Sequence, residues 1–157
     1  RQRQMCIRDS MKAVYLYPAT CYFEATPVSL GRGTSLPFQV YGHPNMTGYD
    51  YSFTPKSVPG AKNPPQLNKL CHGVNLSNMS DEEIWKRGVD LSYVIDAYKN
   101  LNIGDHFFRP FFELLVGTDY VRKMIIEGKS AEEIKNRWKG DVEKFKEQRK
   151  PYLLYQE

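Results

Sequence analysis

The sequence predicts an α+β domain with a small sheet of short strands in its N-terminal half and a helical C-terminal half. Residues before about Ser80 are rich in glycine, proline, threonine and aromatic side chains, a composition typical of short strands and loops. Residues after Ser80 carry helix-capping residues and apolar side chains at helical spacing. Strands and helices in separate blocks indicate an α+β arrangement, here with three strands and roughly four or five helices.

The first half begins with a helical pattern and continues with three candidate strands. Residues 11–18 (MKAVYLYP) resemble the end of a helix that Pro18 stops, because proline lacks a backbone N–H. Three aromatic or β-branched runs bounded by turn residues are predicted strands. They are residues 37–42, 49–53 and 70–76. Gly73 weakens the third strand, because a glycine contributes no side chain to a sheet.

The stretch between the second and third strands, residues 54–69, is too rich in proline for a helix or an internal strand. We predict a stiff, extended loop there. A loop of this length in a compact domain is usually either functional or disordered. Its lysines, Lys56 and Lys62, would then rim a cleft; the alternative is a rigid surface cover.

The second half contains clear helix signals. Ser80 and Glu83 form a capping box before a short helix that Gly88 ends, and Ser130 and Glu133 form another box. Asp90 is placed to cap the intervening helix. One face of that helix is apolar. Its members are Leu91, Val94, Ile95, Tyr98 and Leu101.

The remaining helices are predicted from caps and apolar spacing. Residues 105–112 (DHFFRPFF) form an aromatic connector, after which Thr118 or Asp119 caps a helix ending at Gly128. The last helix, limited by Pro151, carries an apolar stripe that we expect to be buried. The stripe consists of Ile134, Trp138, Val142 and Phe145.

The first ten residues, RQRQMCIRDS, have no apolar period and differ from everything after them. A transposon adaptor used for short-read sequencing libraries translates into these ten residues, so residues 1–10 are predicted to be a non-native leader. Residues 11–157 then form the domain, and a preceding part of the protein is expected to be missing. Without the leader the chain has 19 basic and 17 acidic residues, a net charge of +2.

Composition excludes several classes of function. A nearly neutral domain without a lysine and arginine stripe gives no electrostatic case for nucleic-acid binding, and we expect none. No apolar run approaches the length of a membrane span. The histidines and cysteines lack the spacing of a zinc site, and we expect no metal and no cofactor.

The densest run of unusual residues is CYFEATPVSLGRGTSLPF, residues 21–38. Apolar neighbours flank Glu24; burial would raise the pKa of its carboxyl, and a nearby cation would lower it. Arg32 stands between two glycines, and an arginine on such a turn is able to meet a carboxylate in bidentate fashion. The alternative to a functional pair is a structural Glu24–Arg32 ion pair that fixes the loop.

The same run, followed by FTPKSVPGAKNPPQLNKLCHGV and a terminal RKPYLLY, resembles the C-terminal part of the NamZ-type exo-β-N-acetylmuramidases from about Met11 to Tyr155. The motif F-E-x-T-x-x-S-x-G-R-G-T at residues 23–34 carries the resemblance. This family implies a two-domain bacterial enzyme that removes N-acetylmuramic acid from the non-reducing ends of peptidoglycan fragments. Its Rossmann-like N-terminal domain, missing here, would hold most catalytic groups, and this chain would close the cleft.

The resemblance implies roles for individual residues. Arg32 is best placed to bind the lactyl carboxylate of N-acetylmuramic acid. Glu24 would orient Arg32, bind sugar hydroxyls or act as one of the two carboxylates of glycoside cleavage, the first two roles being favoured. The other candidate binding residues are Ser29, Gly31, Gly33, Thr34 and His43. A hydrogen-bonded structural histidine is the alternative for His43, and His106 is expected to pack.

The family commonly works outside the cytoplasm, so we expect an extracytoplasmic parent, and Cys21 and Cys71 are then candidates for a disulfide. Two free thiols are the alternative. Two other functions compete with a severed hydrolase that is inactive alone: a stand-alone carbohydrate-binding module, and a structural or dimerisation domain in which Glu24 and Arg32 serve only the fold.

Overall fold

The structure is a computed structural model that describes residues 10–155. The predicted leader therefore lies outside the described residues, except for Ser10. The described elements, in chain order, are α1 Met11–Thr20, β1 Val40–His43, β2 Tyr51–Phe53, β3 Cys71–Asn75, α2 Asp81–Arg87, α3 Ser92–Leu101, α4 Phe112–Val116, α5 Tyr120–Ile126 and α6 Ala131–Arg149. This arrangement confirms the predicted α+β class. None of the helices within residues 10–155 combines the length and apolar character of a membrane span.

The sheet has the order β1-β3-β2, with both pairs antiparallel. The three predicted strands are confirmed, although each begins one to three residues later than expected. Gly73 lies at the centre of β3, opposite Gly42, and a Cβ on Gly73 would come within 1.9 Å of the carbonyl oxygen of Tyr41. The glycine that weakened the strand prediction is therefore required by the close approach of β1.

Helix α1 differs from the prediction, because it begins at Met11 and continues past Pro18 to Thr20. The side chain of Ser10 caps it by accepting a hydrogen bond from the amide of Ala13. Pro18 falls near the end of the helix, where the missing N–H costs one hydrogen bond and the fixed φ remains helical. The chain then tightens into a 3₁₀ turn, residues Cys21–Ala25.

The predicted capping residues mostly lie at the positions that the sequence indicates. The Ser130–Glu133 box is complete, whereas Ser80 caps α2 and the Glu83 carboxylate pairs with Arg87. Asp90 accepts a hydrogen bond from the amide of Ser92 at 2.8 Å, which confirms its place before α3.

Two features of the helical half depart from the prediction. No capping residue or apolar period marks α4, which arises from the end of the aromatic connector. Asp119 precedes α5 but makes no side-chain capping bond; its carboxylate pairs with Lys123 one turn later, and a carboxylate held by a lysine is less available to the backbone.

The main core joins α1, the 3₁₀ turn, β1, α3 and the aromatic connector. Its largest fully buried side chains include Phe23, Leu16, Val94, Phe107 and Phe112. His106 is exposed, so the expectation that it packs is wrong.

The predicted buried stripe of α6 is only partly buried. Ile134 is fully buried and Trp138 is half-buried, but Val142 is 42% and Phe145 60% exposed. The prediction is wrong for the last two residues because the second half of α6 extends beyond the domain, and the side chains of residues 141–148 are all exposed.

Candidate functional site

A cleft of about 230 Å³ lies where the 3₁₀ turn after α1 meets the loop that leads to β1. Its floor is apolar, and two charged side chains stand on its wall. The lining residues are Phe23, Glu24, Thr26, Val28, Leu30, Arg32, Pro65 and Phe111. The structure therefore brings Glu24 and Arg32 together at one cavity, as the motif predicts.

Glu24 is placed by the 3₁₀ turn Cys21–Ala25, whose Phe23 and Ala25 point into the core. Burial raises the pKa of the Glu24 carboxyl, and the positive charge of Arg32 offsets part of that rise. The desolvated carboxyl accordingly holds its proton more tightly than an exposed glutamate does.

Arg32 is held by the two glycines that flank it. Gly31 has φ +68° and Gly33 has φ +83°, conformations that favour glycine. Neither position has room for a side chain, since a Cβ on Gly31 would lie 2.4 Å from Val40 and one on Gly33 would lie 2.2 Å from the carbonyl oxygen of Lys56. The backbone on both sides of Arg32 is therefore fixed.

The guanidinium of Arg32 keeps unused hydrogen-bonding capacity. Its Nε is buried without a hydrogen-bond partner, and its Cζ lies 5.9 Å from the centroid of the Phe38 ring. Within residues 10–155 no ion pair of 4.0 Å or less joins Arg32 to Glu24. A direct structural ion pair, the alternative raised by the sequence, does not form in this structure.

The other motif residues stabilise the loop. Thr34 Oγ1 donates to the carbonyl of Gly31 at 2.7 Å and accepts from the amide of Leu36 at 3.1 Å. Ser29 is fully buried and pairs through its backbone with Gly42, at 2.8 and 3.0 Å. The hydroxyls of Thr34 and Ser29 do not line the cleft, so the geometry favours loop support over ligand contact for both residues.

His43 lies apart from the cleft, at the end of β1 opposite His72. Its Nδ1 accepts a hydrogen bond from the amide of Asn45 at 3.1 Å, and burial lowers the pKa of the ring. The structure therefore favours the structural alternative for this histidine.

The structure offers no support for a disulfide between Cys21 and Cys71 or for a metal site. Both cysteines are free, and they belong to different parts of the fold. Burial and the nearby Glu24 raise the pKa of the Cys21 thiol to about 11. In the described part of the chain no three acidic, histidine or cysteine side chains gather closely enough to hold a metal ion.

Sequence reasoning missed three residues at or beside the cleft, namely Tyr17, Phe38 and Phe111. Burial and the nearby Glu24 raise the pKa of Tyr17, and its ring meets Phe38 edge-on at a centroid distance of 5.5 Å. Phe38 itself has φ +62°, and no sequence signal marks such a conformation. Pro65 and Phe111 close the rim. The proline-rich loop is a predicted rim, whereas nothing in the FFRPFF run distinguishes Phe111, which is 47% exposed.

This arrangement suits a ligand that carries both an anion and hydroxyl groups. A guanidinium without a counter-ion binds a carboxylate with two parallel hydrogen bonds. Glu24 adds an acceptor or, when protonated, a donor. The exposed ring of Phe111 offers an apolar face next to an apolar floor.

Comparisons with known proteins agree on one family. A family model described as the C-terminal part of the exo-β-N-acetylmuramidase NamZ matches residues 15–155. The peptidoglycan β-N-acetylmuramidase NamZ of Bacillus subtilis (strain 168) is 32% identical, with 93% of this chain and 38% of that protein aligned. The crystal structure of a DUF1343 family protein from Bacteroides fragilis NCTC 9343 is 81% identical, with a TM-score of 0.93 over 94% of this chain and 42% of its own. This chain thus spans about two fifths of both relatives.

Proposed function

This chain belongs to the NamZ C-terminal family, and on that premise we propose that it forms the substrate-binding wall of a peptidoglycan glycoside hydrolase. The intact enzyme releases N-acetylmuramic acid from the non-reducing ends of peptidoglycan fragments, outside the cytoplasm. The name of the Bacillus subtilis relative supports the substrate class. The chain alone is inactive, because half of a cleft cannot position a substrate against catalytic groups carried elsewhere.

One observation carries the proposal: Arg32 presents a guanidinium with an unpartnered, buried Nε at a cleft whose floor is apolar. N-acetylmuramic acid differs from N-acetylglucosamine by a lactyl group that ends in a carboxylate. Arg32 binds that carboxylate, and the binding is strong because the site is partly desolvated. The wall therefore selects the muramic sugar over sugars that lack an acid.

Glu24 assists Arg32 in this proposal. Its raised pKa suits a group that hydrogen-bonds a sugar hydroxyl or orients Arg32. Glycoside cleavage requires two carboxylates on opposite sides of the scissile bond. Residues 10–155 place a single carboxylate at this cleft, so the proposal assigns the acid and base to the rest of the parent protein.

The cavity volume agrees with a shared site. About 230 Å³ is less than the roughly 300 Å³ at which ordinary ligand pockets begin. A pocket of this size, open on one side, fits part of a sugar residue. The remaining contacts come from a facing surface.

The test uses a chimera in which residues 15–155 replace the matching segment of the Bacteroides fragilis protein. We expect the chimera to release N-acetylmuramic acid and to be inhibited more strongly by N-acetylmuramic acid than by N-acetylglucosamine. Arg32→Ala should abolish that preference and raise KM roughly 10- to 100-fold, the effect of losing a charged hydrogen bond. Arg32→Lys should restore part of it.

Two results would contradict the proposal. If neither the chimera nor the unaltered Bacteroides fragilis protein has glycosidase activity, the proposal that the intact protein is a hydrolase is wrong. Unchanged sugar preference in Arg32→Ala would remove the carboxylate-binding role and leave Arg32 a residue of the fold. Lys56→Ala, on the exposed side of the neighbouring loop, serves as the control for a general loss of positive charge.

A further inference from the structure

Helix α6 carries an apolar strip that the described chain leaves largely uncovered. Trp138, Val142 and Phe145 succeed one another at intervals of four and three residues, and thus lie on one helical face. Exposure along the strip rises from the half-buried Trp138 to 42% at Val142 and 60% at Phe145. An apolar face of this kind on a helix normally packs against a partner. We call these three residues the α6 strip.

The strip continues into a groove at the base of the helix, with a volume of about 290 Å³. Trp138 and Val142 belong to both the strip and the groove. The remaining lining residues are Tyr22, Val89, Leu91, Val116, Thr118 and Tyr120. The strip and the groove together form one continuous apolar surface, and such surfaces mark interaction sites.

We propose that this surface is the docking site for the part of the parent polypeptide that precedes the matched segment. The two relatives share only 38% and 42% of their lengths with this chain, so more than half of a family protein lies outside it. The family match is to a C-terminal part, which places the remainder before residue 15. A covalently attached body is present at an effective concentration on the order of mM, far above that of a second copy.

The start of α1, to which a preceding polypeptide would be joined, packs beside a helix that leads to this surface. Lys12, in the first turn of α1, donates to the carbonyl oxygens of Ser77 and Met79 at 3.0 and 2.7 Å, and thereby fixes α1 beside the start of α2. The other end of α2 shares a small cleft with the first turns of α6, lined by Arg87 and Lys135 among others. Val89, Leu91 and Trp138 line both this small cleft and the groove. A helix of seven residues is about 10 Å long, so roughly the length of α2 separates the start of α1 from the groove.

Docking at this surface would also bring the docked part of the protein to the turn that carries Glu24. The 3₁₀ turn Cys21–Ala25 contributes Tyr22 to the groove and Glu24 to the Arg32 cleft. A body seated on the groove therefore contacts the turn that carries Glu24. The inference rests on the proposal that this chain is part of a longer protein, but not on the reaction that the protein performs.

Hydrogen exchange in the chimera tests the inference without any measurement of hydrolysis. Peptides that contain residues 138–146 should exchange at least about tenfold more slowly in the chimera than in this chain alone, because docking closes the exposed face. The double variant Val142→Lys, Phe145→Lys should remove that protection in the chimera. The same variant should leave the melting temperature of the isolated chain unchanged within about 1 °C, since both side chains are exposed there.

Leu70→Lys is the matched control, because Leu70 is 54% exposed and lies next to β3, away from the strip. It should leave the protection of residues 138–146 in place. Equal exchange in the chimera and the isolated chain would overturn the inference. Protection of the isolated chain that rises with its concentration would also overturn it, because the strip would then bind a second copy. A chimera that shows protection but no hydrolysis supports the docking site and counts only against the glycosidase.

Discussion

Lys56 donates its backbone N–H to the carbonyl oxygen of Gly33 at 2.9 Å, and this bond joins the proline-rich loop to the loop that carries Arg32. The two backbones approach so closely that a Cβ on Gly33 would meet the carbonyl oxygen of Lys56 at 2.2 Å. The position of Arg32 therefore depends on a neighbouring glycine. A substitution at Gly33 is expected to damage both the fold and the cleft.

The first prediction compares Gly33→Ala with Gly48→Ala. Both glycines have positive φ, but nothing lies within 4 Å of a Cβ on Gly48. Gly48→Ala should lower the unfolding free energy by roughly 1–2 kcal/mol, the energy needed to hold an alanine in the left-handed conformation. Gly33→Ala adds a backbone clash and should cost roughly 2–5 kcal/mol. Urea unfolding measures the difference; equal losses would show that the two loops separate freely.

The second prediction concerns the pH dependence that Glu24 gives to stability. Its pKa is raised by folding above the ordinary value of 4.5. Between the unfolded and folded pKa values the folded state binds more protons, so stability falls as pH rises through that window and stays lower at higher pH. Glu24→Gln removes this loss. We expect the variant to melt at a higher temperature than the unsubstituted protein at neutral pH, and at the same temperature at pH values well below 4.5, where the glutamate is protonated in both the folded and the unfolded state.

Glu113→Gln is the control for this effect, because Glu113 forms an ion pair with Arg122 in which its carboxylate lies 2.6 Å from Nε. Removal of that charge should give no gain in melting temperature at neutral pH. A lower melting temperature for Glu24→Gln at neutral pH would mean that the Glu24 carboxylate is stabilised by its surroundings. That result would contradict the direction of its pKa shift.

The third prediction concerns the thiols. With a pKa of about 11 against an ordinary 9.0, Cys21 at pH 8 should react with iodoacetamide about 100-fold more slowly than the same residue in unfolded chain. Cys71, buried and with its pKa also raised to about 11, should be slower still. Peptide mass spectrometry reads both sites separately. A cross-linked Cys21–Cys71 peptide from the folded protein would contradict the free thiols of the structure.

The fold was predictable wherever local chemistry decides it. Ser130 and Glu133 begin α6 because the capping box satisfies backbone groups from within the same turn, and Gly88 ends α2 through a positive φ. Helix α4 escaped prediction because an aromatic run has no helical period of its own. The path of α1 through Pro18 likewise depends on the 3₁₀ turn into which the helix runs, and no residue of α1 itself indicates that turn.

In the candidate site, too, the features set by neighbouring residues were predictable, and the features set by distant parts of the chain were not. The G-R-G spacing predicts a fixed turn around Arg32, and the turn is present. The absence of a Glu24–Arg32 ion pair was not predictable, because it depends on where the 3₁₀ turn places Glu24. Pro65 belongs to the loop that was predicted to rim a cleft, whereas Phe111 reaches the cleft from a distant part of the chain, and residue spacing carries no signal for such an approach.

The fourth prediction comes from the division of the α6 stripe between buried and exposed residues. Ile134 is completely buried, whereas Val142, two turns later on the same face, is 42% exposed. In the isolated chain Ile134→Ala should lower the unfolding free energy by about 2–5 kcal/mol, through lost burial and the cavity left behind. Val142→Ala should change the unfolding free energy by less than about 0.5 kcal/mol, because its side chain lies at the surface there and little of its burial is lost. Urea unfolding at several protein concentrations measures both values. A large loss in Val142→Ala that grows with concentration would show that the strip is buried by a second copy rather than left open for the rest of the parent protein.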